Sequence, residues 1–179
     1  MTSISALNYI HKIGLFGNHE NKNDENLLKV SEIKNILIVQ IVQYKNSKVS
    51  IENLDIDNLK LKDTPMSVVN NSNTRVLWNS PKNWVLVSTK KNLFKDILEV
   101  FKETDFAVTD LSHSRAIIEI EGENVKEVLK KGCPFNFDTL EKNNSINSTY
   151  NGIAITIDML EASPDKVRLF ALRSFGESL

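Results

Sequence analysis

The chain has 179 residues, 41% of them hydrophobic, and its 22 Lys+Arg against 23 Asp+Glu leave a formal charge of -1. That is apolar material for one ordinary domain, or for two small lobes sharing a core, and the interleaved charges exclude the one-sided basic surface that nucleic acid requires. A single cysteine, Cys133, excludes an intrachain disulfide and a cysteine-built metal site, which favours a reducing compartment. With no apolar run near the roughly 20 residues of a membrane span and no positively charged leader, the sequence reads as cytoplasmic.

Residues 1–26 hold a short apolar patch, Leu7, Ile10, Ile13, Leu15 and Phe16, followed by a polar run rich in Asn. Such a patch cannot bury itself and reads as an N-terminal arm, either frayed or docked on something else. The remainder, 27–179, reads as one α+β domain. Residues 34–44, with apolar side chains on both parities, predict a central strand covered on both faces. From 46 to 73 the pattern dissolves, leaving Ile51, Leu54, Ile56, Leu59 and Leu61 in a polar background; this is expected to be a long surface excursion over a partner or a site.

Residues 74–88 read as a hairpin, because two β-rich runs flank Asn79-Ser80-Pro81-Lys82-Asn83 and Pro81 presets a turn dihedral. Trp78 and Trp84 beside that turn are core or cover in the ordinary case, and an aromatic binding face in the other. Leu93, Phe94, Ile97, Leu98 and Phe101 then fall on one helical face, with Asn92 as the expected N-cap.

The stretch 106–134 organises the rest. Ala116, Ile118 and Ile120 alternate with Ile117, Glu119 and Glu121 as in a half-buried strand. Gly122 breaks it, and Val125, Val128 and Leu129 predict a helix of about nine residues stopped by a left-handed Gly132 and by Pro134. After a polar, irregular stretch at 135–148, Ile153, Ile155, Ile157 and Met159 alternate, 161–165 turns the chain, and 167–172 returns as the hairpin partner. Ser174 and Glu177 have capping-box spacing, so a helical turn begins where the sequence stops. The result is an antiparallel sheet with helices on one side, built from two strand-strand-helix passes.

Chemistry is thin. His11, His19 and His113 have no i, i+4 relation, so no helical metal pair exists. Asp110, Ser112, His113 and Ser114 lie too close in sequence to converge as a triad, and Asp110 and Ser112 read as turn caps. Cys133 follows a helix C-terminus, where the dipole disfavours a thiolate. There is no dinucleotide fingerprint, Walker loop or nucleophile elbow. No catalytic, cofactor-binding or metal residue is assigned.

Three stretches together resemble the gamma subunit of heterotetrameric sarcosine oxidase. They are Leu77-Trp78-Asn79-Ser80-Pro81-Lys82-Asn83-Trp84-Val85-Leu86, then Thr109-Asp110-Leu111-Ser112-His113-Ser114-Arg115 through Gly122 to Gly132-Cys133-Pro134, and the terminal Arg173-Ser174-Phe175-Gly176-Glu177-Ser178-Leu179. The resemblance covers 74–179, with Gly176 where the family usually has Ala. It implies a fold related to the folate-dependent aminomethyltransferases, with a non-catalytic role beside alpha, beta and delta subunits. The complex demethylates sarcosine to glycine, releasing peroxide and passing the one-carbon unit to tetrahydrofolate. FAD, FMN, NAD and zinc are implied for the other subunits. Where the transferases carry acids, residues 151–156 here carry none, so folate activation by this chain is not expected. The alternatives are a free-standing folate-binding aminomethyltransferase-like protein, and the equivalent subunit of a related N-methyl amino acid dehydrogenase. Segments unable to bury themselves are expected at the interface: the arm with Leu7, Ile10 and Phe16, the excursion 46–73, and the end with Arg173, Phe175 and Leu179; Trp78 and Trp84 at the hairpin are expected there too.

Overall fold

The computed structural model describes residues 5–7, 13–17, 27–176 and 178. Two short strands come first, β1 (Gly14–Phe16) and β2 (Leu28–Glu32). The middle of the chain forms β3 (Leu37–Gln43), β4 (Asp55–Ile56), β5 (Leu59–Lys60), β6 (Val68–Asn70), β7 (Thr74–Ser80), β8 (Asn83–Ser88), helix α1 (Leu93–Val100) and β9 (Phe106–Asp110). The last part forms β10 (Arg115–Glu121), helix α2 (Val125–Lys130), β11 (Ser145–Tyr150), β12 (Ile153–Ala162) and β13 (Asp165–Leu172). Among the described residues no helix is long and apolar enough to cross a membrane.

The chain divides into two compact units, one from Met1–Lys34 with Ser114–Leu179 and the other from Asn35–His113. An arm over 1–26 and one domain over 27–179 is a different division. The first unit recruits Leu7, β1 and β2 from the expected arm and the residues just after it, and the middle of the chain stands as a unit of its own. The two expected passes accordingly sit on two antiparallel sheets rather than one.

In the first unit the sheet order is β1-β2-β10-β13-β12-β11, every pair antiparallel. Alternation on β10 sends Ala116, Ile118 and Ile120 to one face, the face on which α2 lays Leu129. Gly122 joins the two elements at φ +147, and a Cβ there would stand 2.9 Å from the Leu27 carbonyl oxygen. Helix α2 has six residues, fewer than expected, and Gly132 is not left-handed. That glycine is crowded instead by side-chain ends, since a Cβ would lie 2.8 Å from Tyr150 Cε2 and from Asn151 Oδ1, where Asn151 N donates to the Gly132 carbonyl at 2.9 Å. β11 arises partly from the stretch read as irregular: mostly polar, with Ile146 its one aliphatic residue, it is defined by its register along β12, from Ser145 opposite Asp158 to Tyr150 opposite Ile153.

In the second unit the order is β6-β7-β8-β3-β9, again antiparallel throughout. β3 is an interior strand, flanked by β8 and β9, and most of both its faces is buried. Helix α1 packs Leu93 and Ile97 into a core with Val39, Ile41, Trp84 and Phe106. Asn92 is helical and makes no side-chain cap. The excursion 46–73 is not an open loop. Ile56, Leu59 and Leu61 from it are buried in the same core, because β4 and β5 turn them inward together.

Candidate functional site

On the face of the first sheet opposite α2, register sets charges against each other: Glu119 lies across from Arg168 and Glu121 across from Lys166. Arg168 Nε donates to Glu119 Oε2 at 2.8 Å, and Lys166 Nζ stands 3.1 Å from both Glu119 Oε1 and Glu121 Oε2. Burial opposes ionisation of Glu119, but hydrogen bonds from Lys166 and Arg168 outweigh it and hold the carboxyl below its usual value. Lys166 is raised: burial works against its charge and the two glutamates more than restore it. Fully buried Asp158 continues the row, opposite Arg168 and Ser145. Sequence reasoning missed it, since the alternation Ile153, Ile155, Ile157 assigns Asp158 to the face expected to be wet. The acid stands just beyond the 151–156 stretch that lacks one.

On the other face, a cavity of about 180 Å³ lies between Ile118, Ile120 and Leu169 of the sheet, Leu129 of α2, and Leu7 and Ile13. Glu32 borders it, with its carboxylate accepting from Ser5 Oγ and paired with Lys34 Nζ at 2.9 Å. The wall is apolar and its one acid is already neutralised.

In the second unit, Asp57 accepts from Thr74 Oγ1, Asn71 Nδ2 and Lys90 Nζ. Burial alone would raise its pKa; these donors, Lys90 first, lower it. The carboxylate ties the β4–β5 turn to the start of β7 and to Lys90 just past β8. Asp110 Oδ1 takes the Ser112 N–H at 2.8 Å and its hydroxyl at 2.6 Å, while Ser112 Oγ accepts from Ile38 N at 3.0 Å. This is the turn cap read from the sequence, and His113 is exposed beside it. Cys133 is buried and donates to Ser148 Oγ at 3.1 Å. Among the described residues no group of three or more His, Cys, Asp or Glu could hold a metal ion.

The residues expected at an interface are placed very differently. Trp84, 1% exposed, is core, its indole N–H donating to the Lys62 carbonyl at 2.7 Å. Trp78 is half-buried and donates to Asp63 Oδ1 at 2.8 Å. The excursion thus folds back to satisfy both indoles instead of reaching outward. Leu7 is 3% exposed. Phe16 and Phe175 are open, at 38% and 42%, and Arg173 is half-buried. Ser174 lies inside a 3-10 turn, Arg173–Phe175, that has no side-chain cap. Ile10, Glu177 and Leu179 lie outside the described residues.

No protein-family model matches the sequence, and no curated protein matches it. Among solved structures, the heterotetrameric sarcosine oxidase of Corynebacterium sp. U-96, in complex with pyrrole 2-carboxylate, matches with a TM-score of 0.72 at 20% identity, over 86% of this chain and 80% of that one. The fold is that of a sarcosine oxidase chain. Sarcosine oxidase is the assembly to which the sequence motifs point, and the structural likeness extends beyond them into the first half of the chain. The aminomethyltransferase T of the glycine cleavage system from Bartonella henselae matches with a TM-score of 0.63 at 11% identity. Here too 86% of this chain is covered, but only 44% of the transferase, so the chain spans less than half of that protein. The architecture is therefore aminomethyltransferase-like, with mostly antiparallel sheets and few helices.

Proposed function

We propose that this chain is the gamma-type structural subunit of a cytoplasmic heterotetrameric sarcosine oxidase, assembled with alpha, beta and delta subunits and taking no part in the chemistry. The observation that carries this reading is the match to a sarcosine oxidase chain over most of both chains. The transferase likeness stops at less than half of that protein. The acids of the first sheet support the same view: Glu119 is tied to Lys166 and Arg168, and Glu121 to Lys166. The flavins, the nicotinamide dinucleotide, the zinc and the tetrahydrofolate site belong, in this proposal, to the partner subunits.

The test is co-expression with the other three subunits followed by purification through a tag on this chain. A yellow complex of four chains that releases peroxide from sarcosine is expected, while this chain alone is colourless and inactive. A flavin band retained by the lone chain would overturn the reading. Tetrahydrofolate binding by the lone chain at low micromolar affinity, about -8 kcal/mol, would favour the free-standing folate-binding alternative.

A further inference from the structure

Arg115 opens β10 directly across from Leu172, the last residue of β13, so the two side chains share one face of the sheet end. Its guanidinium is half-buried, and its hydrogen bonds go to the carbonyl and hydroxyl of Ser114, at 3.4 and 3.3 Å. Among the described residues no carboxylate pairs with it. A half-buried arginine without a counter-charge loses part of its hydration uncompensated, and this burial lowers its pKa. The stretch 172–175, which begins across from it, carries two open apolar side chains beside Arg173 and Ser174. Leu172 and Phe175 are each 42% exposed, and Arg173 N donates to the Ser114 carbonyl at 2.9 Å, holding the terminal turn against the start of β10.

We infer that Arg115, Leu172 and Phe175 form a docking patch for another polypeptide, whose surface offers a carboxylate side chain between apolar residues. A planar guanidinium with free N–H groups accepts a carboxylate by two parallel bonds. Arginine beside exposed aromatic and aliphatic side chains is the composition of an interface centre, not of ordinary protein surface. Charge selects the occupant. A second cationic surface is repelled, and a purely apolar one leaves the guanidinium buried without a partner.

This inference rests on the subunit reading for the identity of the partner, and the experiment separates the two. The full-length chain is co-expressed with the alpha, beta and delta subunits, and affinity for the purified three-subunit remainder is measured by interferometry. Arg115→Glu should weaken assembly about 30-fold or more, as reversing one member of a buried charge pair does, with unchanged thermal unfolding of the lone chain. Arg115→Lys should retain part of the affinity, and Phe175→Ser should weaken it with little change in salt dependence. Amides of 115–116 and 172–175 should gain hydrogen-exchange protection on assembly. A wild-type chain that assembles while Arg115→Glu assembles equally well overturns the patch and leaves the subunit reading standing. Assembly without protection at those amides does the same. Failure of the wild-type chain to assemble overturns both.

Discussion

Gly122 and Gly132 bracket α2 and are held to glycine for different reasons. At Gly122 the backbone lies at φ +147 and the Leu27 carbonyl would meet a Cβ at 2.9 Å, so neither dihedral nor neighbour can yield. Gly122→Ala is expected to cost about 1–3 kcal/mol, read as a lower urea midpoint. The atoms crowding Gly132 are the ends of the Tyr150 and Asn151 side chains, which can swing aside, so Gly132→Ala should cost less. Equal losses would mean that the dihedral at Gly122 is not the controlling factor. At Glu119 the argument concerns protons. The folded state holds its carboxyl below the usual 4.5, so the unfolded chain binds the proton more readily. The contribution is present above about pH 4.5 and is lost as pH falls through the folded value. Glu119→Gln leaves Arg168 without its carboxylate, so it should cost about 1–3 kcal/mol at pH 7 and flatten the acid limb of the stability curve. An unchanged acid limb would show that the ladder is not linked to folding.

Among the elements, the excursion 46–73 is the one whose role changes most. Sparse apolar residues in a polar background resemble an open loop, yet Ile56, Leu59 and Leu61 close the core of the second unit. Two short facing strands suffice to aim them, and the Asp57 carboxylate anchors the turn between those strands. Leu59→Ala should therefore destabilise the lone chain by about 2–5 kcal/mol through lost burial and a residual cavity. Were the excursion an interface loop, the lone chain would barely respond and assembly would suffer instead. β11 makes the complementary point. Its sequence, Ser-Ile-Asn-Ser-Thr-Tyr, is a strand because β12 offers an edge in register, and the Asn147–Thr156 pair hydrogen-bonds across it at 2.7 Å.

At the scale of the molecule, the first unit is discontinuous in sequence, closing on itself only when β2 pairs with β10. Leu7, from the patch read as a frayed or docked arm, is 3% exposed. Leu7→Ala should lower the lone chain's stability by about 2–5 kcal/mol, measured by chemical denaturation, whereas substitution of exposed Phe16 should leave it nearly unchanged. From residues alone, the central strand β3, the Trp hairpin, α1, β10 and the β12–β13 hairpin were all legible, because each carries its own period of two or 3.6 and its own breakers. The turn cap of Asp110 and Ser112 was legible too, being local. What only the tertiary structure decided is non-local. It decided the split into two sheets, the recruitment of β2 and Leu7 from far along the chain, the burial of Asp158 and the partnering of Glu119 with Arg168. It also left Arg115 with no carboxylate partner among the described residues. Periodicity records which side of an element is apolar, but not which distant strand lies beside it or what covers its polar face. Those are settled by register and packing, between residues whose separation in sequence carries no signal of their meeting.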